Sequence, residues 1–302
     1  MVECVPNFSE GRNAGKVDAI ERAIASVKGT VVLHRTSDSD HNRSVITFAG
    51  PPKAALESAV RSAGAALELI DLRLQTGVHP RLGALDVLPF VPLQGSTLAE
   101  CVDLAHEAGE RIWRELGVPV YFYEAAAKTP NRKRLEDVRR GQFEGLRDAV
   151  MADPSKCPDV GGPGLHPSAG AVIVGARKFL IAFNINLQTA DLNIAKAIAR
   201  AIRASSGGFA AVKALGVPLP SRGQVQVSMN LTDFEETGLY TVFREVEKLS
   251  REHGVAIASS ELIGLMPRGA LEQAAAALLK LEGFTSQRVV ENRLEALPPE
   301  SF

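Results

Sequence analysis

One order of elements, βαββαβ, runs twice along this chain, on either side of a Pro- and Gly-rich stretch from Asp153 to Pro167. In the first half Val2 to Phe8 reads as a strand. Val17, Ile20, Ile24 and Val27 then recur at helical spacing, with Gly29 as the expected C-cap. Val31 to Arg35 and Ser44 to Phe48 form a hairpin around the polar turn Ser37 to Asn42, and a helix follows from about Pro52 to Ile70. Asp86 to Leu93 reads as a strand whose Pro89 and Pro92 cannot donate to a ladder, which predicts an edge or irregular position.

Thr97 and Glu100 make a capping-box pattern for the next helix, which Gly117 and Pro119 end. Tyr121 to Tyr123 predicts a short strand and Lys128 to Met151 a basic helical run. The second half repeats the order: strand Phe179 to Leu187, helix Ile194 to Ala204, strands Phe209 to Val217 and Gln224 to Asp233, helix Leu239 to His253, strand Val255 to Leu262. A last helix, Leu271 to Glu282, precedes a weakly structured tail. The expected fold is α/β (α+β), two ferredoxin-like βαββαβ subdomains spanning 1–177 and 178–302.

Composition narrows the function. Thirty-four Lys and Arg against 35 Asp and Glu give a net charge of -1, without the excess of positive charge that nucleic acid or an anionic membrane would attract. The start of the chain lacks a signal-peptide pattern, and the apolar runs fall short of a membrane span, so a cytoplasmic protein is expected. Cys4, Cys101 and Cys157 are an odd number without a CxxC pair, which fits neither a disulfide framework nor a zinc ribbon. P-loop, nucleophile-elbow, zincin and dinucleotide motifs are absent.

His79 lies in Thr76-Gly77-Val78-His79-Pro80-Arg81-Leu82-Gly83-Ala84-Leu85-Asp86, between a helix and a strand. A loop imidazole can move protons near neutral pH, and it can equally bond a loop carbonyl; the residues alone leave both open. Asp38, Asp40, His41, Asn42 and Arg43 suit a turn better than a metal site, because Asp and Asn bond their own backbone there; no metal is expected. Arg43 can grip a carboxylate with two N–H groups. Arg132, Lys133, Arg134, Arg139 and Arg140, interleaved with Glu136 and Asp137, read as a solvated helix face, with an anionic substrate tail as the other possibility. Two strands of the second half alternate: Phe179, Ile181, Phe183 and Ile185 against Asn184 and Asn186, then Val225, Val227 and Met229 against Gln226, Ser228 and Asn230. The uncharged amide faces suit either open water or the wall of a site for a heteroaromatic ring.

Taken as a set, Val2-Glu3-Cys4-Val5-Pro6-Asn7-Phe8-Ser9-Glu10-Gly11, Asn42-Arg43, His79-Pro80-Arg81, Gly83-Ala84-Leu85-Asp86, Gly175 to Leu187 and Asn230-Leu231 resemble the glutamate formimidoyltransferase family across nearly the whole chain. The resemblance implies transfer of the formimino group from N-formimino-L-glutamate to N5 of tetrahydrofolate, a co-substrate, within histidine breakdown. It implies two subdomains whose sheets face a ligand tunnel with helices outside, and a homodimer.

Residue by residue, the resemblance makes His79 the catalytic acid/base. It maps a folate-binding loop onto Gly161, Gly162, Pro163, Gly164, Leu165, His166, Pro167, Ser168, Ala169 and Gly170. Gly164, Leu165, His166 and Ala169 depart from the family's pattern there, and Val78 stands where an acid occurs. Within that chemistry Asp38 or Asp40 would face the cationic group in transfer, Arg43 or Arg81 the glutamate carboxylates, Asn42 the substrate, and Asn184 and Asn186 the folate. The chain resembles the stand-alone form, without a cyclodeaminase domain. A related transferase using formiminoglycine or formylglutamate, and a non-catalytic folate carrier, are the alternatives.

Overall fold

Pro6 has no N–H to continue a ladder, so the first apolar run is two short strands, β1 (Val2–Cys4) and β2 (Asn7–Phe8). The computed structural model describes residues 1–296, and the chain divides into two units, Met1–Lys178 and a second that begins at Phe179. After β2 come α1 (Ala14–Ala25), β3 (Val31–Asp38), β4 (Arg43–Gly50), α2 (Pro52–Leu69), β5 (Leu85–Pro92), α3 (Leu98–Leu116), β6 (Val120–Glu124), α4 (Leu135–Val138), α5 (Gln142–Ala152) and β7 (Val172–Ala176). Across the sheet the order is β3, β4, the β1/β2 pair, β5, β7, β6. The pairings from β3 to β5 are antiparallel; β5–β7 and β7–β6 are parallel.

Two sequence expectations change here, and one strand is added. β5 is an interior strand, not an edge, because Pro89 falls opposite the break between β1 and β2: Cys4 pairs with Phe90 and Asn7 with Val87, and the Val5 N–H donates to the Pro89 carbonyl. The expected helix from Lys128 to Met151 is broken into a turn of 3-10 helix at Pro130–Arg132, α4 and α5. Gly141, at φ 93°, supplies a left-handed break that only glycine adopts without strain. β7, just beyond the Pro- and Gly-rich stretch, is a strand the sequence reading does not include.

Thr97 caps α3 as its sequence pattern predicts. Its Oγ1 accepts from the Glu100 N–H at 3.2 Å, Glu100 accepts from the Thr97 N–H at 2.7 Å, and Gly117 closes the helix in the left-handed region. α1 stops earlier than expected, at Ala25. Helices α1 to α3 cover one sheet face over a core that includes Phe8, Phe48, Phe90 and Phe122. Truncating one such phenylalanine to alanine costs about 3–5 kcal/mol. Val138 of α4 and Leu146 and Val150 of α5 cover the other face over Val87, Tyr121, Tyr123 and Ile173, so the helices of this unit lie on both faces.

The second unit contains β8 (Ile181–Leu187), α6 (Leu192–Ile202), β9 (Val212–Leu219), β10 (Gln224–Leu231), α7 (Leu239–Glu252), β11 (Ile257–Ile263), α8 (Arg268–Leu279) and α9 (Val290–Glu295). Its sheet runs β11-β8-β10-β9, antiparallel throughout. Ile181, Phe183, Ile185 and Leu187 share a core with Val225, Val227, Met229 and Leu231, against Ile198 and Ile202 of α6 and Val242 and Val246 of α7. The expected strand at Phe209 starts only at Val212, because Phe209 instead bonds the Ile202 carbonyl at the end of α6. The tail, expected to be weakly structured, carries α9; its last residues, 297–302, lie outside the described residues.

Candidate active site

Two loops of the first unit dock against each other because their residues leave room only for backbone. The turn between β3 and β4 is closed by Asp38, whose Oδ1 accepts from the His41 N–H at 2.7 Å. Asn42 then adopts φ 48° and joins three segments: its Oδ1 accepts from the Gly11 N–H at 3.0 Å and its Nδ2 donates to the Thr76 carbonyl at 2.9 Å. Gln75 Nε2 donates to the Asn42 carbonyl at 3.0 Å, and the Val78 N–H to the Asp40 carbonyl at 3.4 Å. A Cβ on Gly77 would stand 2.4 Å from the His41 carbonyl oxygen, so this approach requires glycine.

The loop so held presents His79. Its Nδ1 lies 2.7 Å from the Pro80 carbonyl oxygen, an acceptor only, so Nδ1 carries the proton and Nε2 keeps its lone pair. The His41 ring stands 5.9 Å away, centroid to centroid. Burial drives the His79 pKa well below the usual imidazole range, and the Arg43 and Arg139 guanidiniums add to the shift against the opposing pull of Asp86. His79 is therefore neutral at pH 7, a base whose single free nitrogen can take a proton and hand it on.

Asp86 organises the charges behind His79. Fully buried at the start of β5, its Oδ1 accepts from the N–H groups of Leu82 and Gly83 at 2.7 and 3.3 Å. Its Oδ2 accepts from Arg43 Nη1 at 2.7 Å and Arg139 Nη2 at 2.8 Å. Burial alone would raise its pKa; Arg139, Arg43 and the Leu82 N–H outweigh that and hold it down to about 2. Arg43, itself buried, is lowered to about 10 by the same desolvation against the pull of Asp86, and remains a cation. Its Nε and Nη2 both donate to Asn7 Oδ1.

Arg139, read from the sequence as part of a solvated face, is thus drawn inward: only 12% of its side chain is exposed. No local pattern marks it, since its partner is 53 positions away. Asn42 and Arg81, expected at the substrate, turn to the protein. Asn42 is the staple described above. Arg81 donates to the carbonyls of Leu72 and Gln75 and pairs with both carboxylate oxygens of Glu144 on α5. Asp38 is engaged in its own turn.

The Gly161–Gly170 segment is tied to the same loop. The Ala84 N–H donates to the Ala169 carbonyl at 2.9 Å and the Ala171 N–H to the Leu82 carbonyl at 3.2 Å. His166 and Gly170 exchange backbone bonds at 2.8 and 2.9 Å, and the Leu72 N–H donates to the Ser168 carbonyl. The Ala169 N–H donates to His166 Nδ1, so the His166 proton sits on Nε2. Gly161, Gly162 and Gly170 all have positive φ. A Cβ on Gly161 would lie 2.5 Å from the Trp113 ring, so the chain here depends on glycine.

In the second unit the amide-rich face has a charge at its centre, where only uncharged groups had been expected. Glu261 accepts from Arg222, from Asn186 Nδ2 at 3.0 Å and from Gln226 Nε2 at 3.1 Å. Asn186, fully buried, also donates to Ser259 and accepts from Gln226 at 2.8 Å. Asn184 accepts from the Met229 N–H. Burial raises the Glu261 pKa, and Arg222, Asn186 and Gln226 together bring it below the usual carboxylate value. Pairing sets this network: Asn184 stands opposite both Glu261 and Ser228, and Asn186 opposite Ser259 and Gln226.

Among the described residues no group of three His, Cys, Asp or Glu side chains is placed to hold a metal ion, and no helix is long and apolar enough to cross a membrane. A neutral histidine with one free nitrogen, backed by two buried arginines, defines an acid–base enzyme site suited to an anionic substrate. Comparison with known proteins gives the family. Residues 1–177 match the formiminotransferase domain, N-terminal subdomain, and residues 182–293 the formiminotransferase domain. The chain belongs to the formiminotransferase family. It is 43% identical to a glutamate formimidoyltransferase of Streptococcus pyogenes serotype M1 over 97% of this chain and 98% of that one. A glutamate formimidoyltransferase of Thermoplasma acidophilum is 44% identical over 98% and 97%. The formimidoyltransferase-cyclodeaminase of Sus scrofa is 44% identical over 97% of this chain and 56% of its own length.

Proposed function

We propose that the chain transfers the formimino group of N-formimino-L-glutamate to N5 of tetrahydrofolate, giving 5-formiminotetrahydrofolate and glutamate. The observation that carries this reading is His79, neutral at pH 7 and locked by Pro80 into the tautomer with Nε2 free. N5 attacks the amidine carbon to form a tetrahedral adduct, and the C–N bond to glutamate then breaks. One proton must leave N5 and one must reach the departing nitrogen, and Nε2 of His79 takes the first and delivers the second. Asp38 and Asp40 lie on the turn docked to the His79 loop, where a carboxylate stabilises the cationic amidine. Arg43 faces the donor's carboxylates, while Asn42 and Arg81 serve by holding the loop.

Folate binds along the Gly161–Gly170 segment, where Gly161, Gly162 and Gly170 take positive φ. The two subdomains comprise residues 1–177 and 178–302, and the enzyme works as a cytoplasmic homodimer in histidine breakdown. The test is formation of 5-formiminotetrahydrofolate by the purified chain from tetrahydrofolate and formiminoglutamate, with formiminoglycine and formylglutamate as parallel donors and His79→Ala beside it. Turnover with formiminoglutamate that falls by about 10²–10⁴ in the variant is expected. Preference for another donor would reassign the substrate, and tight folate binding without consumption of any donor would make the chain a carrier.

A further inference from the structure

We propose that Arg139 binds, together with Arg43, the α-carboxylate of the formimino donor. The proposal rests on the reading of His79 as the group that protonates the departing glutamate nitrogen. Asp86 fixes the place of both guanidiniums: one of its oxygens bonds Leu82 and Gly83, in the loop that carries His79, and the other accepts from Arg43 and Arg139 at 2.7 and 2.8 Å. Two guanidiniums share this one carboxylate, and Asn7, the other partner of Arg43, is neutral. The cluster so formed is buried with one positive charge in excess, an arrangement that favours an anion.

Arg139 also has capacity to spare. Its Nε is shielded from solvent and has no acceptor among the described residues, although a buried N–H normally has one. The donor's chemistry supplies that acceptor in the right place. The α-carboxylate and the nitrogen that leaves are bonded to the same carbon, so a donor whose nitrogen reaches His79 carries its α-carboxylate into the region beside that ring. The γ-carboxylate, two further carbons along, has no such constraint. Arg139 is thereby a specificity residue: it selects donors derived from α-amino acids.

The experiment is a double-mutant cycle between protein and donor. kcat and KM are measured for N-formimino-L-glutamate and for N-formimino-4-aminobutyrate, which lacks only the α-carboxylate, with the wild-type chain, Arg139→Gln and Arg139→Lys. In the wild type, loss of the α-carboxylate is expected to lower kcat/KM by about 10- to 100-fold, mainly through KM. In Arg139→Gln the same loss is expected to cost less than about 3-fold, and Arg139→Lys, which keeps the charge, to fall between. Lysine preserves a cation beside Asp86, so it keeps the test open should glutamine prevent folding. A purely structural role would lower the rate with both donors by one factor, and that result overturns the proposal. A wild-type chain that turns over neither donor overturns the transfer reading itself and the proposal with it.

Discussion

Replacing Asp86 with asparagine tests the charge arrangement on which the site depends. The side chain keeps its shape, and its oxygen can still accept from Leu82, but the negative charge between two buried guanidiniums is lost and an N–H group must face them. Breaking a buried ion pair from one side costs about 3–5 kcal/mol, because the remaining charge stays buried without its partner. With a urea slope of about 2 kcal/mol/M, that loss lowers the unfolding midpoint of the first unit by about 1.5–2.5 M. Trp113 on α3 is the chain's only tryptophan, so its fluorescence follows this unit separately from the other. The sign with pH follows from the low pKa of Asp86. Its folded value, about 2, lies below the unfolded value of about 3.9, so the stabilisation is present above pH 4 and is lost as pH falls toward 2. Asp86→Asn should remove that acid limb as well as lower the plateau. A midpoint within about 0.5 M of wild type, with the acid limb intact, would refute the account.

His79 should show no titration midpoint above pH 5 when its ring protons are followed by NMR, since burial and two cations oppose its protonation; a midpoint near 6.5 would contradict the geometry. Gly161→Ala should destabilise the first unit by about 1–3 kcal/mol and shift Trp113 emission, because the new methyl meets the indole at a positive φ; unchanged emission and stability would show that the segment has other ways to sit. Glu261→Gln should weaken the second unit by about 1 kcal/mol, seen as faster amide exchange in β8, β10 and β11, because an amide cannot accept from Arg222, Asn186 and Gln226 as a carboxylate does; unaltered exchange would mean that the network contributes nothing.

Much of the fold was readable because it is governed by local rules. Thr97 and Glu100 form a capping box from side chains three residues apart, and the alternation in Ile181 to Leu187 predicts its two faces from a period of two. The readings that failed turned on distant partners. Pro89 looked like an edge signal until the break at Pro6 proved to lie opposite it. Val172, Ile173 and Val174 are β-branched and could have announced β7, but the glycines around them masked the strand.

For the site, the sequence by itself determined which groups are available: a histidine followed by proline, whose carbonyl sets the tautomer, and glycines wherever two backbones meet. It also determined the apolar and polar faces of the strands, since chain periodicity alone sorts them. Only the tertiary structure decided what the charges do. Arg139 and Asp86 are joined across 53 positions, Arg43 and Asp86 across 43, and Glu261 reaches Asn186 across 75. Such pairings depend on which buried carboxylate lies within reach of which guanidinium or amide, and burial makes them matter: in water each charge would be screened, whereas here burial first, and the Arg43 and Arg139 charges after it, oppose protonation of His79.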